Sequence, residues 1–215
     1  MTIRHHLNDD LLLAYASGNL SEGWSLAVAT HLAMCAECRK GLALAEAAGG
    51  ALLESIEPVG GDDAGWLALK ARVENDTTPP AQPKLQPASA TIPEPLRSYL
   101  GADLADLKWR RVGTAHQVLI KTPDRETQVR LLRIPAGMPV PEHSHGGREL
   151  TVVITGAFHD EVDQFGPGDI EDADGSLTHQ PVANAEEDCI CLAVTDAPLK
   201  FTSRLVQLVQ PLLGI

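Results

Sequence analysis

Apolar positions in residues 1–75 recur three and four apart, the period of a helix face, whereas after residue 95 they gather into short β-branched runs. Asn8 and Asp9 are placed to cap a short helix through Leu11, Leu12, Leu13 and Tyr15, which Gly18 would end. Ser21 and Glu22 start a second, through Trp24, Leu26, Val28, Leu32 and Cys35, and a third runs from Glu37 to Leu53. A fourth, DDAGWLALKARVE, carries Trp66, Leu69 and Val73 as an amphipathic stripe that suits docking on a core or in a partner groove. Helices this short are marginal alone, so packing or a metal must hold them. From Asn75 to Pro95 the text NDTTPPAQPKLQPASATIPEP has no apolar period and many prolines, the signature of an extended linker. Beyond it HQVLIK, QVRLLRI, ELTVVITG, CICLAV and LKFTSRLVQLV read as strands, with PAG and GPGD as turns. The pattern predicts an α+β chain of two domains: a helical bundle over residues 1–75, a linker over 76–95 and an antiparallel sandwich or barrel over 96–215.

Composition adds constraints. Of the 215 residues, the helical segment has too few to build a large core, which makes a metal staple an expectation. Four cysteines are too few for a disulfide scaffold, and Cys35/Cys38 and Cys189/Cys191 are too close to bridge easily within each pair. Reduced thiols and a cytoplasmic location are expected. The start MTIRHHLNDD has no basic segment followed by an apolar run, and no stretch approaches the ~20 apolar residues of a membrane span. A net charge of −12 argues against direct contact with a nucleic-acid backbone and favours a basic partner.

The candidate chemistry lies in two ligand sets. Cys35 and Cys38 form a hook, His31 lies one helical turn before Cys35, and a histidine from the chain start, His6 or its neighbour His5, would complete a tetrahedron. Thiolate mixed with imidazole suits a closed structural zinc. His143 and His145 alternate onto one strand face, with Glu149 and His179 available from elsewhere; imidazole with carboxylate suits zinc or another divalent metal and can support chemistry.

His6, His31, Cys35 and Cys38, at intervals of 24, 3 and 2 residues in a short N-terminal bundle, resemble the zinc-containing anti-sigma domain. MTIRHH together with SLAVATHLAMCAEC is similar to the ChrR subgroup of that family. The resemblance implies that His6, His31, Cys35 and Cys38 bind zinc. It also implies that the domain clasps one extracytoplasmic-function sigma factor, one to one, and keeps it from RNA polymerase. Independently, Gly137, His143, His145, Glu149 and Gly156 stand in the register of the first cupin motif. Gly168 and His179 keep the spacing of the second, although Asp174, Ser176 and Ala183 replace its proline, glycine and asparagine. That resemblance implies a β-barrel with His143, His145, Glu149 and His179 as ligands.

Together the two imply an anti-sigma factor whose cupin senses singlet oxygen or an organic hydroperoxide. The alternative is a metal-dependent cupin enzyme such as a dioxygenase. Trp24, Leu26, Trp66 and Leu69 are the candidate sigma contacts, since buried aromatic and leucine anchors dominate binding energy. Cys189 and Cys191 read as packing residues, Asp160, Glu161 and Asp163 as a solvated turn, and His116 as an ordinary residue. Glu142 and His159 belong either beside the second metal or in solvent.

Overall fold

The structure, a computed structural model, describes residues 2–61, 63–77 and 91–203. Asn8 Oδ1 accepts the Leu11 N–H at 2.8 Å and so starts α1, Asp9–Ala16. The apolar period continues through Cys35, but α2 is Glu22–Met34. Cys35, extended at φ −100° and ψ 107°, ends it and opens α3, Ala36–Glu54. α4, Asp63–Asn75, has no buried residue.

The end of the expected linker is not extended. α5, Glu94–Leu100, begins inside it, with Pro95 in the first turn, where a missing N–H costs no helical hydrogen bond. Ile92 and Leu96 are buried and anchor this helix in the core. Residues 78–90 of the expected linker, and residues 204–215 of the last expected strand run, lie outside the described residues.

The remaining elements are β1 (Arg110–Val112), β2 (Ala115–Ile120), β3 (Gln128–Ile134), β4 (His143–His145), β5 (Glu149–Thr155) and β6 (Phe158–His159). They continue as β7 (Gln164–Phe165), β8 (Ile170–Ala173), β9 (Thr178–His179), β10 (Val182–Ala183), β11 (Cys189–Thr195) and β12 (Leu199–Phe201). Six form a sheet in the order β1-β2-β3-β11-β5-β8, and two three-stranded sheets, β10-β6-β7 and β12-β4-β9, complete a cupin-like fold. Every pairing is antiparallel, and no single ladder closes on itself among the described residues.

β5 and β11 are buried on both faces, which is why ELTVVIT and CICLAV are nearly continuous apolar runs instead of alternating ones. Leu150, Val152, Leu192 and Val194 share one core with Leu26, Val28 and Leu32 of α2. Their neighbours Glu149, Thr151, Cys191 and Ala193 line a cavity of about 70 Å³ on the opposite face. Burying Leu26, Val28 and Leu32 contributes about 1.5–3 kcal/mol each. That outweighs the propensity of a helix that includes Gly23, Ser25 and Thr30, so the sheet holds α2 in place.

The sheet half also caps this helix. Ser21 makes no side-chain cap; Asp124 supplies one from 101 residues away, its Oδ2 accepting the Gly23 N–H at 3.1 Å. Gly23 has no space for a side chain, because a Cβ there would run into Thr127 and Val129. Burial raises the Asp124 pKa, but backbone N–H groups of Gly23, Glu22 and Thr127 outweigh it and leave the carboxyl below its ordinary value. A folded pKa below the unfolded one stabilises the fold at neutral pH and loses that effect as pH falls through the lowered value. Asp124→Ala is therefore expected to lower unfolding free energy by about 1 kcal/mol at pH 7, with the difference shrinking in acid. Urea denaturation at pH 7 and pH 3 measures it, and equal midpoints at pH 7 would remove the cap from this account.

Candidate metal centres

The break at Cys35 builds the first cluster. It turns the chain so that Cys35 Sγ accepts the Cys38 N–H at 3.4 Å, while α3 carries Cys38 back to His31. His31 Nε2 lies 3.2 Å from Cys38 Sγ, and His6 Nδ1 lies 3.3 Å from Cys35 Sγ and 3.6 Å from Cys38 Sγ. Donors bound to one tetrahedral zinc at the usual bond lengths stand about 3.3–3.8 Å apart, so the spacing fits that ion. His5 is not part of it: its ring packs at a tilt against Phe165, with centroids 4.3 Å apart, and faces Asp163 and Asp169. That selects His6 of the two neighbouring histidines.

His31, Cys35 and Cys38 are buried and His6 is exposed. Burial lowers the His31 pKa to about 4, against the pull of the Gly168 backbone, so the ring is neutral and able to act as a ligand. Burial and the neighbouring Cys35 thiol push Cys38 up to about 11. Two buried thiols with two imidazoles are a donor set that a divalent cation would bind, the thiols as thiolates.

The second cluster is set by strand register. His143 and His145 project from one face of β4, and His179 of β9 pairs directly with His143. His179 Nε2 lies 3.2 Å from His145 Nε2 and 3.3 Å from His143 Nε2, and all three rings are buried. The opposite ring nitrogens are held from behind: His143 Nδ1 lies 2.8 Å from the Pro141 carbonyl, and His179 Nδ1 lies 2.7 Å from Asp160 Oδ2 and 3.4 Å from Glu171 Oε1. An Nδ1–H donated outward leaves the Nε2 lone pair inward, the tautomer that a metal-ligating histidine uses. Burial lowers the His143 pKa. Burial also opposes charge on His179, but Glu171 and Asp160 outweigh it and raise that pKa to about 9. Burial pushes Glu171 up to about 6.

Glu149 is not in the cluster of converging donors, which holds His143, His145 and His179. Its Oε2 stands 3.6 Å behind His145 Nδ1, and its Oε1 accepts the Thr151 hydroxyl at 2.9 Å. Asp160 corrects the solvated-turn reading, since its side chain is 0% exposed and ion-paired with His179. Acidic spacing could not reveal this, because the partner is 19 residues away. Glu171, which also faces His179, carries no sequence signal beyond its place in β8. Glu142 and His159 are exposed. Cys189 and Cys191 are buried; the contact with Cys189, then burial, raises the Cys191 pKa and keeps it a thiol, as packing requires.

Of the expected partner contacts, Trp66 is 64% and Leu69 49% exposed on α4, among further exposed apolar residues such as Leu52, Ile56 and Val73. Trp24 is half-buried against the core, and Leu26, 2% exposed, lies within it. No helix among the described residues is long and apolar enough to cross a membrane.

Residues 99–198 match the family model described as the ChrR cupin-like domain. The whole chain is 48% identical to the anti-sigma-E factor ChrR of Cereibacter sphaeroides, over 100% of both chains. It is similar to a chain in the crystal structure of Rhodobacter sphaeroides SigE in complex with the anti-sigma ChrR, at 46% identity and a TM-score of 0.80. That match covers 91% of this chain and 100% of the other.

The ion pair behind His179 has a measurable weight. Asp160→Ala removes the nearer of the two carboxylates on His179 Nδ1, leaving Glu171 at 3.4 Å, and is expected to destabilise the metal-free protein by about 1–3 kcal/mol by chemical denaturation. An unchanged midpoint would show that the pair does not organise the second cluster.

Proposed function

The chain belongs to the ChrR family of anti-sigma factors, and on that premise we propose that it binds an extracytoplasmic-function sigma factor of the sigma-E type, one to one, and represses transcription by withholding it. Full-length identity of 48% to an anti-sigma factor carries this reading, and favours a regulator over the cupin-enzyme alternative. Residues 1–75 are the sigma-binding part, 76–95 a connector and 96–215 the sensor, its three sheets forming the walls of one cupin barrel. The location is the cytoplasm, and the releasing signal is singlet oxygen or an organic hydroperoxide.

His6, His31, Cys35 and Cys38 hold zinc in this reading. The spacing of their donors and the neutral state of His31 support it. Bound there, zinc supplies cross-linking of the chain start to α2 and α3. His143, His145 and His179 would hold zinc or another divalent ion, with Glu149 as the expected fourth ligand. In the conformation described, Glu149 orients His145 while Asp160 and Glu171 hold the His179 tautomer. The cavity that Glu149, Glu171 and Cys191 line gives a small oxidant a place beside these ligands.

Trp66 and Leu69 are the primary sigma contacts, because α4 presents both to solvent with nothing among the described residues burying them. Trp24 and Leu26 would join the contact only when α2 comes off the sheet, since Leu26 is held in the shared core. The test is transcription in vitro by RNA polymerase with an extracytoplasmic-function sigma factor of the host. The parent chain is expected to inhibit at one equivalent. Trp66→Ala is expected to weaken the complex tenfold or more, the cost of removing an anchor. Full inhibition with unchanged affinity in Trp66→Ala would take α4 out of the interface, and no inhibition by the parent would reject the anti-sigma reading.

A further inference from the structure

The N-terminal segment lies along the stretch that runs from the β6–β7 turn through β7 to the start of β8, and a continuous set of polar contacts runs from one histidine cluster to the other. His179 Nδ1 meets Asp160 Oδ2 at 2.7 Å. The other oxygen of Asp160 accepts the N–H groups of Val162 at 2.9 Å and Asp163 at 3.2 Å, which fixes the shape of that turn. Asp163 Oδ2, so presented, lies 3.1 Å from His5 Nε2. Further along, Asp169 Oδ1 accepts the N–H groups of both Arg4 and His5, at 2.6 and 2.9 Å, and the Arg4 guanidinium donates to the Gln164 carbonyl at 2.6 Å. The next residue is His6, whose Nδ1 stands 3.3 Å from Cys35 Sγ. Gly168, at φ +89°, keeps this approach close, because a Cβ there would meet Ile3 Cδ1 at 2.5 Å.

We propose that Asp160, Asp163 and Asp169 are positioning residues that couple the two clusters, so that a divalent ion held by His143, His145 and His179 tightens the hold of His6 on the N-terminal ion, and the reverse. The coupling rests on reading both clusters as metal sites. With Nε2 of His179 engaged by a cation, the ring is fixed in place and its Nδ1–H stays aimed at Asp160, 2.7 Å away. Asp160 then holds the turn that presents Asp163 to His5, and Asp169 binds the backbone just before His6. His6 is the one ligand of its cluster that comes from outside the continuous α2–Cys35–α3 segment, and it is exposed, so its placement depends on the N-terminal segment. Linkage requires the effect to be equal in both directions.

The experiment uses the full chain with cobalt(II) in the cysteine-containing site, where thiolate-to-cobalt absorption reports that site alone. Chelator competition is run with the histidine cluster loaded and with it disabled by His143→Ala/His145→Ala. Cobalt affinity is expected to fall about fivefold or more when the second cluster is disabled, and by a similar factor in Asp160→Asn or Asp163→Asn. Glu187→Gln removes the same charge from an exposed position and is expected to change nothing. As a readout independent of affinity, amide exchange at Arg4 and His5 is expected to quicken by the same factor in Asp160→Asn. A loaded histidine cluster that leaves both cobalt affinity and amide exchange within twofold would overturn the coupling while leaving the two metal sites standing. A parent chain that takes up no metal at His143, His145 and His179 would overturn the coupling and the metal reading together.

Discussion

α2 is held from two sides at once. One face buries Leu26, Val28 and Leu32 on β5 and β11, and its last turn places His31 in the cluster that Cys35, Cys38 and His6 complete. A shift of α2 on the sheet therefore also moves a buried ligand. Asp124 caps the start of the helix from the loop before β3, and Tyr99 of α5 bonds Glu22 at 2.5 Å, so the helix is fixed along its length by the half that carries the second cluster. The two halves meet through a core rather than by a tether alone.

That arrangement leaves a clear division of surfaces. α4 has no buried residue and displays Trp66 and Leu69, whereas α2 is covered. A partner can engage α4 without disturbing the shared core, but engaging Leu26 means exchanging the sheet for the partner.

The first cluster was legible in the sequence because three of its four ligands lie within one helix–turn–helix, where spacing of four and three residues dictates proximity. Spacing alone left His5 and His6 open and the family resemblance named His6; the structural reason lies in Phe165, Asp163 and Asp169, which engage His5 and which no local pattern brings near. The strands of the six-stranded sheet were readable where apolar runs were long, as in QVRLLRI and ELTVVIT; two-residue strands such as β9 and β10 carry too little pattern to detect. α5 was hidden because prolines that read as linker also serve a helix's first turn. Leu26 is exposed or buried according to which face α2 turns to the sheet, and apolar residues around most of that helix leave the choice to tertiary packing. Asp160 acts on a partner 19 residues away, so its acidic neighbours made it read as part of a solvated turn, and Glu171 carried no pattern that singled it out.

The central claim, that zinc held by the first cluster organises a sigma-binding module, is tested most directly by co-purifying a host extracytoplasmic-function sigma factor with the parent chain and with Cys35→Ser/Cys38→Ser, measuring zinc in each eluate. The account predicts a zinc-containing complex with the parent and loss of both sigma factor and the N-terminal zinc in the variant. Retention of the sigma factor by a variant that has lost that zinc would contradict it.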